Sequence, residues 1–255
     1  MVPALYFLMP SRLGPLYARA VTTLFRLRGL AKAPDEIPGI VLHLDASSLS
    51  GYDDGDAVTE WPGASGTEHR GLAVAGHASP TLHENRSNRR PMVRFDGDTA
   101  MLSVADHDDL RFGQGGFTVF LVLQRGATSS NSSRIMTKGS GKETSTGYTL
   151  FEDGERLVGR IRDGQSSLSI ASPLDLTIHT QVVAMVIDSS AGDLSDLAGG
   201  IDSSDDLTIG GYGTGDQNWD GYLGEVVVYR RALTQREHLS IRQHLTFKWA
   251  AWQVG

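Results

Sequence analysis

The feature that most restricts how this chain can fold is its punctuation. Short runs of β-branched, aromatic and aliphatic residues recur between clusters of glycine, serine and aspartate. Twelve such runs fall at residues 40–44, 57–61, 92–95, 101–104, 117–123, 135–138, 148–151, 157–161, 168–171, 181–187, 207–209 and 222–229. Runs of this length and composition read as strands. The pairs Asp96-Gly97, Asp153-Gly154 and Asp163-Gly164 between them supply the positive φ that tight hairpin turns require. Runs 117–123 and 181–187 are apolar almost throughout, which predicts central strands covered on both faces. The pattern therefore predicts an all-β fold, a two-sheet antiparallel sandwich of the jelly-roll kind. With 255 residues, such a sandwich has chain enough for a sizeable core.

Charge divides the chain into two parts. Five of the 23 bases (Arg12, Arg19, Arg26, Arg28 and Lys32) precede Asp35, the first carboxylate. The remainder carries 18 bases against 30 acids, a net of −12, so a +5 arm is followed by an acidic body. In the arm, Leu16, Ala20, Val21, Leu24 and Phe25 recur at helical spacing with arginines on another face. Residues 1–37 are accordingly expected to form a basic amphipathic arm with a short helix at about 15–30, and residues 38–255 the sandwich domain. A secretory signal fits poorly, because no apolar stretch of adequate length runs into a small-residue cleavage site. A transit peptide fits the composition. The arm is expected to be retained and ordered, with Arg12, Arg19, Leu24, Phe25, Arg26 and Arg28 packing on a neighbouring subunit, with its own domain or a membrane surface as alternatives.

One further helix is expected at 234–250. Thr234 and Glu237 make a capping box, and Ile241, Leu245 and Trp249 follow at i, i+4 and i+8.

The ordered series of strands resembles a family. Residues 39–47 (GIVLHLDAS) and 55–61 (GDAVTEW) look like the opening of a laminin G-like, concanavalin A-like jelly-roll domain. Residues 91–97 (PMVRFDG) and 117–123 (FTVFLVL) match its next strands, and 207–211 (LTIGG) and 220–233 (DGYLGEVVVYRRAL) its closing ones. The resemblance covers about residues 38–250. One departure lies at 188–206, rich in serine, glycine and aspartate where the family commonly has a Tyr-Val-Asn-Gly hairpin. The scaffold hosts lectins, adhesion modules, glycosidases and structural proteins. Stand-alone chains of this size resemble bacteriophage virion proteins, which implies a structural subunit of a large homo- or hetero-assembly, displayed on a virion surface, with cell-surface carbohydrate as a further partner. The alternatives are an extracellular or cell-surface carbohydrate-binding module and, behind it, a glycoside hydrolase.

Catalysis is not expected. The resemblance implies that hydrolases of this scaffold carry a Glu-x-Asp-x-x-Glu strand, and none occurs here. Glu152-Asp153-Gly154-Glu155 reads as a turn, and Glu225 as a lone structural acid in an apolar strand. There is no cysteine, which removes disulfides and thiolate metal sites. The eight histidines show no ligand spacing, and His43 reads as a core residue. Calcium is the one cofactor considered: it takes oxygens from acidic loops, and Asp96 and Asp98 flank a turn at a strand end. Tyr212, Trp219 and Tyr222 are candidates for an aromatic glycan platform. Residues 85–90, with three arginines, read as a solvated connector turning into the next strand. The acidic balance argues against nucleic acid, and no apolar run approaches the ~20 residues of a membrane span.

Overall fold

A computed structural model describes residues 31–251 except 65, 67, 128–131, 141–144, 155, 176–178, 192–193, 198 and 213–216, and the backbone only at 173–175. The expected helix of the basic arm, with Arg12, Arg19, Leu24, Phe25, Arg26 and Arg28, lies outside the described residues. From residue 31 the chain packs on its own body. Ala31 and Ile37 are buried, the Lys32 amide donates to Ser240 Oγ (2.9 Å), and Tyr229 donates its hydroxyl hydrogen to the Pro34 carbonyl (2.7 Å). The last seven residues assigned to the arm thus contribute to the domain's core and edge.

Among the described residues, fourteen strands form two antiparallel sheets. One sheet runs β12 (Gln181–Ile187), β7 (Phe117–Arg125), β14 (Asp220–Tyr229), β5 (Arg90–Asp96) and β4 (Thr81–Ser87). In it β1 (Ile40–Asp45) takes the C-terminal half of β14, where β5 has ended. The other sheet runs β11 (Ser167–Asp175), β10 (Arg156–Asp163), β9 (Thr146–Asp153), β8 (Ser133–Lys138), β13 (Leu207–Ile209), β6 (Leu102–Val104), β3 (Gly71–Ala73) and β2 (Glu60–Trp61). Val93, Val119, Leu121, Leu123 and Leu223 of the first sheet and Leu102, Leu150, Leu207 and Ile209 of the second are fully buried in one core. The all-β, two-sheet antiparallel sandwich expected from the strand pattern is what forms.

The one α-helix among the described residues, α1 (Gln235–Trp249), lies across the outer face of the first sheet. Its capping box is made as expected, with the Thr234 hydroxyl accepting from the Glu237 amide and the Glu237 carboxylate accepting from the Thr234 amide. Beneath it, Phe120 stacks on His238 at 5.2 Å, and Gly224 leaves the room that the Trp249 ring fills, since a Cβ there would come within 3.0 Å of the ring. The helix also corrects one expectation. Strand β12 is an edge strand, not a central one; its run is apolar because the core covers one face and α1 packs against it.

Two strands carried no apolar signal. Strand β3 is three residues long. Strand β4 is mostly polar, and its second half is the segment expected to be a solvated connector. That segment is a hairpin arm. Asn88 and Arg89, both at positive φ (48° and 60°), form a two-residue turn pairing Ser87 with Arg90. The hairpin then closes the C-terminus of α1: Ser87 Oγ donates to the Trp249 carbonyl (2.5 Å), while Asn88 Nδ2 (2.8 Å) and Arg90 Nε (2.9 Å) donate to that of Lys248. These carbonyls have no partner within the helix, and a guanidinium suits their negative pole. Replacing Asn88 with alanine removes one of these bonds and places a Cβ residue without a local polar group in the left-handed region. The expected cost is about 1–2 kcal/mol, read from urea unfolding.

Candidate functional site

A fully buried carboxylate lies under α1. Glu225, fully buried, accepts from the Trp249 indole (2.7 Å) and the Lys248 ammonium (2.6 Å) through Oε2, and its Oε1 lies 2.7 Å from His43 Nε2. Lys248 also donates to Asp45 Oδ2 (2.6 Å). Burial pushes the Glu225 carboxyl up, but the His43 hydrogen bond and the Lys248 charge outweigh it and hold it at about 2. His43, Asp45 and Glu225 have the composition of a metal cluster, yet Lys248 bonds two of its carboxylates and supplies the cation. The group ties β1, β14 and α1 together.

The acids expected at a calcium site have another employment. Asp96 Oδ1 accepts the backbone amides of Asp98 (2.9 Å), Thr99 (3.0 Å) and Ala100 (2.9 Å). Burial raises its pKa, but these amides prevail and lower it. Asp98 is exposed, and its carbonyl accepts from the Asn218 amide. The pair closes a turn by backbone bonding.

The three aromatic candidates separate. Trp219 is fully buried, so the expected exposed platform is corrected at that residue: its ring packs over Gly221, and its indole donates to buried Glu152 (3.2 Å). Glu152, expected in a turn, is a core acid paired with Arg125 at 2.5 Å. Tyr222 sits on the outer face of the first sheet beyond α1, with Arg86 over its ring at 4.1 Å, Arg94 at 5.0 Å and His83 edge-on at 5.6 Å. Arg94 there is neutralised by an ion pair with Asp220.

Tyr212 belongs to a different surface, the outer face of the second sheet. Pairing aligns Ser103, Thr208, Thr137, Thr149, Arg160 and Ser169 across six strands of that sheet, one polar row on one face. Phe151, two residues from Thr149, shares that face and is covered by two guanidiniums, Arg134 and Arg160, each 4.7 Å from its ring centre. Tyr212 lies 5.9 Å from Arg134. Arg134 is 5 % exposed, its Nε donates to Gln217 (3.1 Å), and its buried Nη1 has no hydrogen-bond partner. Arg160 donates to Ser169 Oγ (2.9 Å). Neither arginine has a carboxylate partner among the described residues. Burial, and the charges of Arg160 and Arg162, lower the Arg134 pKa to about 10. Positive charges held together under partial desolvation, with donors to spare, fit a planar anion better than any neutral group.

No family model and no curated protein sequence matches the chain. Its fold is similar to the binding domain of Paraclostridial Mosquitocidal Protein 1 (TM-score 0.59, 14 % identity, 82 % of this chain and 52 % of that one). It is similar also to the receptor binding domain of botulinum neurotoxin D (TM-score 0.56, 11 % identity, 84 % of this chain and 53 % of that one). A third likeness is to the botulinum neurotoxin serotype D ligand binding domain in complex with N-acetylneuraminic acid (TM-score 0.52, 11 % identity, 83 % and 51 %). The chain spans about half the length of these domains. At such identities the likeness establishes the sandwich fold. No helix among the described residues is long and apolar enough to cross a membrane.

The buried groups predict a two-stage acid profile. His238, held to about 4 by burial and by the Arg242 charge, is neutral in the fold and charges near 6.5 once unfolded. Stability therefore begins to fall below pH 6.5, and this contribution is fully lost near 4. Glu225 titrates near 4.5 when unfolded and about 2 when folded, so its contribution disappears between those values. Each is worth up to about 3 kcal/mol. Denaturant midpoints measured against pH should show both stages, and His238→Phe should abolish the first alone.

Proposed function

We propose that this chain is a non-enzymatic binding module for an acidic glycan, recognised on the outer face of the second sheet by Arg160 and Tyr212, with Arg134 beneath them. The observation that carries this reading is the buried guanidinium of Arg134, with an unpaired Nη1, stacked against Phe151 beside a second arginine; neither has a carboxylate partner among the described residues. Leaving a buried cation uncompensated costs stability, and a bound carboxylate or sulfate would offset that cost. The exposed hydroxyl of Ser169, beside Arg160 in the polar row, offers a further partner for a sugar. The Tyr222 surface ranks second because Asp220 already neutralises Arg94. The likeness to receptor-binding domains, one of them complexed with N-acetylneuraminic acid, supports the same ligand class, as does the laminin G-like, lectin-like strand series of residues 38–250. An extracellular or surface-displayed setting suits such a module. The virion-assembly role expected from the basic arm rests on residues outside those described.

Binding of 3′-sialyllactose, with lactose as neutral control, tests the proposal by calorimetry and by glycan array. The acidic sugar should bind and lactose should not. Arg160→Ala should weaken binding about tenfold or more with an unchanged melting temperature, because its one described side-chain hydrogen bond is to exposed Ser169. Arg134→Met should abolish binding while leaving stability equal or higher, the signature of a charge kept for a ligand. Equal response to neutral and acidic sugars, or insensitivity to both substitutions, would sink the assignment.

A further inference from the structure

Histidines 69 and 107 are 38 positions apart, and sequence spacing gives them no relation. The fold does. Strands β3 and β6 pair antiparallel, so the start of one lies beside the end of the other. His69 comes two residues before β3, and His107 three residues after β6, just ahead of the 3₁₀ turn Asp108–Leu110. The two rings stand 4.9 Å apart at 60°, and both address one carboxylate. His107 Nδ1 is 3.2 Å, and His69 Nε2 3.8 Å, from Asp109 Oδ2. One ligand atom from each residue lies within 4.8 Å of the other two.

Two observations say what this cluster suits. The first is dimension. A tetrahedral ion with bonds of about 2.0–2.1 Å sets its ligand atoms about 3.3 Å apart, close to the two measured separations. The second is the outer arrangement: Asp109 Oδ1 faces the Arg230 guanidinium at 3.4 Å, which leaves Oδ2 for the ion and fixes the carboxylate's orientation. His107 Nδ1 accepts the Asp109 backbone amide at 3.2 Å, a hydrogen bond that the ion would replace.

We propose that His69, His107 and Asp109 bind one divalent transition-metal ion. Two imidazoles and one carboxylate favour zinc, cobalt or nickel over calcium, which takes oxygens. Three protein ligands leave a fourth position for water or an oxygen of another molecule. The ion would pin the loop before β3 to the turn after β6. This site is separate from the arginine surface, and its fate does not depend on that of the glycan reading.

Competition between the untagged full-length chain and a chromophoric chelator for zinc tests it, together with the visible spectrum of the cobalt-loaded protein. One equivalent of zinc should bind, and cobalt should show the intense d–d bands of a tetrahedral site. His69→Ala and His107→Ala should each weaken uptake about 100-fold or more, with melting of the His69→Ala chain in the presence of chelator unchanged. Uptake that survives the His69→Ala/His107→Ala double variant, or no uptake by the parent chain, would overturn the assignment.

Discussion

The sandwich depends on how its outer helix is anchored, and that anchor is a carboxylate placed where no water reaches it. Glu225 could not sit ionised under α1 alone, since moving a charge into a protein interior costs several kcal/mol. Every oxygen it offers is met by His43, Lys248 or Trp249, and Lys248 is met in turn by Asp45. Because these groups come from β1, β14 and the last turn of α1, the network forms only when helix and sheet are both in place. The β4–β5 hairpin then satisfies the carbonyls at the same helix end. One polar cluster and one hairpin thus fix the register of α1, while the apolar stripe of Ile241, Leu245 and Trp249 supplies area without direction.

The arginine surface obeys the opposite logic. Under α1 the Glu225 carboxylate has the Lys248 ammonium against it, whereas Arg134 is nearly as buried and has no carboxylate partner among the described residues. Folding alone gains nothing from that arrangement. A partner that brings negative charge converts it from a cost into an attraction strengthened by low dielectric. The contrast between a satisfied and an unsatisfied buried charge in one sandwich is the reason for placing recognition on the second sheet and structure under the helix.

The strand pattern made most of the architecture legible. Run 117–123 is apolar almost throughout because both its faces are covered, and 207–209 alternates because one face is buried; both patterns survive in one dimension. The helix was legible for a similar reason: the Thr234–Glu237 box and the 241/245/249 stripe are local. Strand β4 escaped because its pairing rests on backbone bonds and a turn at Asn88 and Arg89, while only Leu82 enters the core and its second half faces solvent and a helix end. Trp219 misled because an aromatic near a glycine-rich segment has the same sequence context whether it points in or out.

Residue order by itself determined the fold class, the position of α1, the hairpin turns at Asp153-Gly154 and Asp163-Gly164 and the absence of any thiol chemistry, all of which follow from local pattern and composition. Asp96-Gly97, expected to make a third hairpin, instead leads from β5 to β6 of the other sheet. Tertiary structure alone decided which charges are paired. Glu225 and Lys248 are 23 residues apart, Arg134 and Tyr212 further still, and His69, His107 and Asp109 come together only because β3 and β6 are neighbours. Coulomb energy depends on distance in space and on the dielectric around each group, and neither quantity is written along the chain.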